Sequence, residues 1–201
     1  MILFTVAEHD NEDIREDLRE MAGAKQNFES LNTAFLQLHN LFGLLTRLEE
    51  GTYSKKAGIS YQQYLVLVVL ESNKPPVNET VIANRLQRGL NTISLMIDRM
   101  EKGGLLVRRW SEHDRRRREI TLTKQGKDAL DRGLKVGVDL RKRLGREFTD
   151  KQLDDLTALA SKLRDSVLQK LGHEVPSPDL DRAVRERVIR LYERAAARQA
   201  D

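Results

Sequence analysis

The sequence has no cysteine, which removes disulfide bonds and thiol-based redox sensing from consideration. It also lacks any apolar run approaching the length of a membrane span. Its opening stretch, MILFTVAEHD, has neither the basic start nor the long apolar core of a signal peptide. No membrane partner is therefore expected, and a cytoplasmic location is the default. The four histidines, His9, His39, His113 and His173, are scattered, without the spacing of a metal site. Phosphate-binding P-loops, the G-x-G-x-x-G turn and the G-x-S-x-G nucleophile elbow are missing as well. Neighbouring carboxylates are plentiful, but they fall on helix faces where solvation accounts for them. Neither a cofactor nor a metal is called for, and an enzyme is not the expected reading. The chain has no internal repeats or low-complexity tracts.

What the sequence does have is charge, placed unevenly. Apolar residues make up 39% of the 201 positions and charged residues 33%, the composition of a globular, highly charged helical protein of one or two domains. The net charge of +4 conceals an asymmetry. Residues 80–127 hold twelve Lys or Arg against five Asp or Glu, a net of +7, whereas residues 1–30 hold three against eight, a net of −5. A basic middle between acidic flanks is the footprint of a local polyanion site.

That basic middle has a definite pattern between Asn78 and Thr123. Asn78 is placed to N-cap a short helix whose apolar face is Val81, Ile82 and Leu86, with small Ala83 where a second helix approaches. The second helix repeats apolar residues at Ile93, Met96, Ile97 and Met100 and carries Asn91, Thr92, Ser94, Leu95, Asp98 and Arg99 on its other face. Gly103 and Gly104 end it. Two β-prone runs follow, Leu105-Leu106-Val107 and Ile120-Thr121-Leu122, around a polar turn of Ser111, Glu112, His113 and Asp114. Six arginines (Arg108, Arg109, Arg115, Arg116, Arg117 and Arg118) fall within this hairpin. A helix-turn-helix backed by a basic hairpin is a winged helix.

On these residues the segment resembles the DNA-binding domain of the MarR family of transcription regulators. The matching elements are Asn91-Thr92-Ile93-Ser94, Asp98 to Lys102, Gly104-Leu105, and Asp114-Arg115-Arg116 with Leu122-Thr123 eight and nine residues after Asp114. The likeness extends loosely over roughly residues 30–171 and covers neither end. One departure stands out: Gln87 occupies the turn position where the family has glycine, and Gly89 is expected to take over the strained conformation slightly later.

Along the rest of the chain, residues 1–9 read as an extended lead-in and Asp10 to Met21 as a short acidic helix with Ile14, Leu18 and Met21 on one stripe. Phe28, Leu31, Phe35, Leu38, Phe42 and Leu45 then form a heptad seam, widened by Ala34, Leu41, Leu44 and Leu48. That is more apolar surface than one core needs, so the helix is expected to face its own domain and a second helix. Gly51 to Gly58 reads as a polar loop. Ser60 and Gln63 form a capping box for a helix from Tyr61 to Ser72, ended by Lys74-Pro75-Pro76. Thr123 caps a helix to about Glu147 containing Gly133, Gly137 and Gly145, whose role (close packing or a flexible connector) the sequence leaves open. Thr149 and Gln152 cap the next helix, with Leu153, Leu156, Leu159, Leu163 and Val167. After Pro176 and Pro178, a last amphipathic helix runs from Asp179 to about Gln199.

The expected fold is mainly α with a small β-wing. Dimerisation helices at 1–50, a winged helix-turn-helix at 51–123 and C-terminal helices at 124–201 complete the arrangement. The resemblance implies a homodimer that binds double-stranded DNA at a pseudo-palindromic operator, most often as a repressor, with half-sites about 10 bp apart. Asn91, Thr92, Ser94 and Leu95 would reach base edges or phosphates, with Arg99 a turn further on. On the family pattern Arg116 enters the minor groove, Arg115, Arg117 and Arg118 serve phosphates, and Asp114 shapes the wing. The resemblance also implies a small aromatic or anionic effector near Phe35, His39, Phe42, Tyr61 and Tyr64, although core packing competes for most of these. The alternative is an architectural or protein-interaction module that binds nucleic acid without sequence preference.

Overall fold

Four helices, those starting at Tyr61, Glu79, Lys124 and Asp150, begin where a capping side chain sits. In the computed structural model, which describes residues 10–110, 118–173, 175 and 178–200, the elements run α1 (Asp10–Ala57), α2 (Tyr61–Ser72), α3 (Glu79–Leu86), α4 (Leu90–Lys102), β1 (Leu106–Trp110), β2 (Arg118–Leu122), α5 (Lys124–Gly145), α6 (Asp150–Lys170) and α7 (Pro178–Ala200). The lead-in at 1–9 and the wing turn at 111–117 lie outside the described residues. Asn78 Oδ1 accepts from Val81 N–H at 3.0 Å and starts α3. Ser60 and Gln63 exchange bonds of 2.9 and 3.1 Å at the head of α2, and Thr149 with Gln152 does the same for α6. Thr123 Oγ1 accepts from Gly126 N–H at 3.0 Å and donates to Gly104 O at 2.6 Å, joining the start of α5 to the end of α4.

The chain divides into two units, Met1–Leu48 and Glu49–Asp201. The first holds most of α1, and its apolar seam is exposed: Phe28, Leu31, Phe42 and Leu44 all lie open. The second is built on one core. Leu67 of α2, Ile82 of α3, Ile93, Ile97 and Met100 of α4 and Leu106 of β1 are fully buried in it. β1 and β2 pair antiparallel from Leu106↔Leu122 to Trp110↔Arg118, and Ile120 N–H donates to Val77 O at 2.8 Å, tying the extended stretch before α3 to the wing. α7 packs on α5 and α2 through Leu191 and Ala195. α6 leaves Leu156 and Leu159 exposed and buries Leu168, and its capping residue Leu171 is exposed too.

Three sequence expectations change. The short acidic helix, the heptad helix and the supposed loop from Gly51 to Gly58 are one continuous helix. Its last turns are helical because Tyr53 and Ala57, one turn apart, are both buried, while Ser54, Lys55 and Lys56 face outward and the lysines complement the helix C-terminus. Gly58, at φ 71°, ends it. Second, Gln87 itself takes the left-handed conformation (φ 51°, ψ 48°), and Gly89 is an ordinary extended N-cap, so α4 begins at Leu90. Third, the wing strands extend further toward the turn than expected: β1 runs on to Trp110, and β2 begins two residues early at Arg118.

The role of the α5 glycines is also decided. A Cβ on Gly133 would lie 2.4 Å from the Tyr64 ring, and one on Gly137 would lie 2.7 Å from Tyr192 and 2.8 Å from Tyr53 Oη. Together they form a notch that receives tyrosines, whereas Gly145 meets nothing within 4 Å. Gly133→Ala is therefore expected to destabilise the fold by about 1–3 kcal/mol through overpacking, despite the better helix propensity of alanine. Gly145→Ala should be neutral or stabilising. Urea denaturation midpoints of the two variants check this.

Candidate nucleic-acid interface

α4 is the element the surface is arranged around. Its buried stripe of Ile93, Ile97 and Met100 presses into the core, which turns Asn91, Thr92, Leu95 and Arg99 to the outside. Leu95 is 58% exposed on that face. A reverse turn of Schellman type stops the helix: Leu105 N–H donates to Met100 O and Gly104 N–H to Glu101 O, both at 2.9 Å, with Gly104 at φ 73°.

Arg108 on β1 holds this helix against its neighbours. Its guanidinium reaches Glu79 of α3 at 2.7 Å, and Asp98 and Glu101 of α4 at 2.6 Å each. Its backbone N–H also donates to Glu101 Oε1 at 2.9 Å. The Ser94 hydroxyl donates to the other oxygen of Glu79. Partial burial disfavours the Arg108 charge, yet the hydrogen bonds it donates to Glu79, Glu101 and Asp98 raise its pKa above the ordinary arginine value. Glu101 is in turn held below the usual carboxylate range, first by the Arg108 backbone N–H and then by its side chain.

Open clefts lie on either side of α4. One, of about 420 Å³, runs between Ser60, Gln62 and Gln63 at the head of α2 and Thr92, Leu95 and Arg99. The other, of about 490 Å³, runs between Asn78, Glu79 and Thr80 and the wing residues Arg118 and Ile120. The sequence pattern singled out neither Gln62 nor Trp110. Gln62 sits in a different helix from the motif, and Trp110 stands among arginines that drew the attention.

The expected site residues therefore divide. Asn91, Thr92, Leu95 and Arg99 share one exposed face. Ser94 is turned onto Glu79, and Asp98 is paired with Arg108. Arg118 is exposed with its guanidinium 5.0 Å above the Trp110 ring. Asp114, Arg115, Arg116 and Arg117 lie outside the described residues. Of the residues considered for an effector, Phe35, His39 and Phe42 belong to the N-terminal unit, where His39 bonds to the Phe35 carbonyl at 2.8 Å.

Tyr61 and Tyr64 belong to the second unit and to a cluster the sequence did not suggest. Tyr53 stands with its ring 4.5 Å from Tyr64 and 5.1 Å from Tyr61. The hydroxyls of Tyr64 and Tyr192 lie 2.5 Å apart, and Arg141 covers the Tyr192 ring at 4.3 Å. Tyr53 Oη is buried without a hydrogen-bond partner of normal geometry. Burial pushes the Tyr53 phenol up to about 12 and raises Tyr61 and Tyr64 as well.

Comparison with known proteins gives this surface its context. The family model described as MarR family matches residues 59–117. The HTH-type transcriptional regulator SarZ of Staphylococcus epidermidis is 27% identical over 124 residues, which is 59% of this chain and 80% of SarZ. Residues 59–117 are a MarR-family domain. Two solved structures share its fold. The S. aureus MepR–DNA complex is 19% identical with a TM-score of 0.60 over 66% of this chain and 96% of that one. CouR from Rhodococcus jostii RHA1 bound to p-coumaroyl-CoA is 20% identical with a TM-score of 0.57 over 63% and 88%. The matched residues hold α2, α3, α4 and β1, with α3 and α4 as the helix-turn-helix, and β2 follows directly after them to complete the wing.

Two predictions follow from the geometry. Arg108→Ala leaves three carboxylates facing one another and should cost about 1–3 kcal/mol, a figure held down by their partial exposure. Arg108→Lys should recover only part of it, because a lysine cannot fork between Glu79 and the two acids of α4. Paired chemical denaturation curves test both. For the tyrosines, the folded state favours the neutral phenol, so its stabilisation is intact below pH 10 and falls away as pH rises from 10 through about 12 for Tyr53. Tyr53→Phe should be neutral or slightly stabilising at pH 7 and should lose roughly 1 kcal/mol less per pH unit above 10, measured by urea unfolding across pH.

Proposed function

We propose that the chain is a sequence-specific DNA-binding transcription regulator of MarR type, a homodimeric repressor acting on a pseudo-palindromic operator. The observation that carries this is an α4 whose exposed face holds Asn91, Thr92, Leu95 and Arg99 while Arg108 braces its flank against the wing. A helix held in that way reaches a major groove without reordering on contact, and those side chains suit base edges, phosphates and thymine methyls. The MepR–DNA complex, which shares the fold, supports the same use of this surface. In this reading Arg116 enters the minor groove, Arg115, Arg117 and Arg118 hold phosphates, and Asp114 shapes the wing tip. Ser94 assists from within, through Glu79.

Residues 1–50 and 124–201 serve dimerisation around a DNA-binding part at 51–123. Phe28, Leu31 and Phe42 on α1 and Leu156 and Leu159 on α6, with Leu171 at its C-cap, are exposed in the single chain, and their removal from water would drive association at about 25 cal/mol per Å². The buried side of α7 is committed to α2 and α5. A small aromatic or anionic effector completes the proposal, in keeping with the CouR complex. Of its candidate residues, Tyr61 is half-buried and Tyr64 is held in the core. Coupling requires that the effector favour a dimer whose two α4 helices are mis-spaced for the half-sites.

Fluorescence anisotropy tests the central claim, using duplexes from upstream of the chain's own gene beside a scrambled duplex at physiological salt. Selective binding by at least about a thousandfold, weakened about tenfold by Arg116→Ala, is the expected result. Equal binding to both duplexes, governed by salt alone, would favour the architectural alternative. Sedimentation should give a dimer, and a Leu156→Glu, Leu159→Glu variant should shift it to monomer with loss of operator affinity.

A further inference from the structure

The chain has a single tryptophan, Trp110, and it is 61% exposed. It sits at the outer end of β1, paired with Arg118 in the last described rung of the wing. The rung does little to hide it. Arg118 stacks its guanidinium on the indole at 5.0 Å, and most of the side chain still faces water. Hairpin stability alone does not call for so large an apolar ring in that place, since a cation–π pair forms on any aromatic and the strand already anchors itself through buried Leu106.

Its direction is the informative part. Side chains two apart on a strand share a face, so Trp110 lies on the same face of β1 as Arg108. Arg108 is turned toward Asp98 and Glu101 on the flank of α4. A cleft of about 230 Å³ joins these groups, lined by Glu101, Arg108, Arg109, Trp110 and Arg118. Arg118 is exposed beside the ring, Arg109 is exposed on the strand's other face and lines the same cleft, and the sequence continues from this rung into Arg115, Arg116 and Arg117. The surface is thus a flat amphipathic ring set among guanidinium groups on the α4 side of the wing. Cations attract the phosphates of a polyanion, and an indole packs on the apolar face of the deoxyribose between them while keeping an N–H donor at its edge.

We propose that Trp110 is a DNA-contacting residue that packs against the sugar–phosphate backbone beside the wing, with Arg109 and Arg118 holding the adjoining phosphates. This rests on the DNA-binding reading above and extends it to a residue outside the motif. Because sugars and phosphates are common to all sequences, the contact adds affinity and orients the wing but does not read bases.

The test uses the full chain and a fluorescein-labelled 30-bp duplex from upstream of its own gene, with a scrambled duplex at low salt as a second probe. Anisotropy reports binding, while intrinsic emission excited at 295 nm reports Trp110 alone, there being no other tryptophan. The expected result is that DNA shifts or quenches this emission and lowers acrylamide quenching of it several-fold on both duplexes. Trp110→Ala should weaken binding about tenfold, as removal of a packed aromatic anchor does, with the thermal midpoint little changed. Trp110→Phe should recover part of the loss. Anisotropy-detected binding without any change in emission or quencher access would overturn the proposal and leave the DNA-binding reading standing. So would a loss of affinity in Trp110→Ala that merely follows a loss of stability, since that marks a hairpin staple. No binding in anisotropy to either duplex would overturn the DNA-binding reading and this proposal with it.

Discussion

One guanidinium organises the surface. Arg108 draws together Glu79 of α3 and Asp98 and Glu101 of α4, so that two helices and a strand share a single polar joint. Its effect is orientation more than net stability. Partly exposed ion pairs contribute modestly, but three directional bonds from one planar group set the angle between the wing and α4 far more sharply than apolar packing alone. The joint also solves an electrostatic problem. Three carboxylates beside a surface proposed to hold phosphates would repel them, and a fixed cation in their midst offsets part of that charge.

Beneath this surface the second unit depends on a notch. Gly133 and Gly137, one turn apart on α5, let Tyr64, Tyr53 and Tyr192 approach the helix backbone more closely than any other residue type would permit. The result is an aromatic cluster that gathers the end of α1, the start of α2, the middle of α5 and the outer part of α7. Arg132 adds a polar tie, donating from Nε to the Ala57 carbonyl at 3.0 Å at the end of α1. The buried, unpartnered Tyr53 hydroxyl is the one polar mismatch among the described side chains of this cluster.

Much of the fold was legible because its signals are local. Capping side chains act over three residues, and Asn78, Ser60, Thr123 and Thr149 each cap the helix their spacing implied. The stripe of Ile93, Ile97 and Met100 declared both a helix and its buried face, and with it the outward face of Asn91, Thr92, Leu95 and Arg99. Where reading failed, the deciding partner was distant. Residues 51–57 look like a polar loop until Tyr53 and Ala57 are seen against α2 and α5. Gln87 accepts a left-handed conformation that glycine would take more easily, since the turn between α3 and α4 is dictated by their packing and not by the residue in it.

The sequence by itself determined the helix-turn-helix, the basic hairpin and the family they mark, since all three rest on spacing, capping and charge within a short stretch of chain. Only the tertiary structure decided which arginines are free and which are engaged. Arg108, Arg109 and Arg118 are alike in sequence, yet Arg108 turns inward to acids up to 29 residues away and Arg118 outward onto Trp110. Strand alternation assigns a side chain to a face, but the charges waiting on that face come from other elements. That is why the clamp, the tyrosine notch and the exposed tryptophan had no signature in the sequence alone.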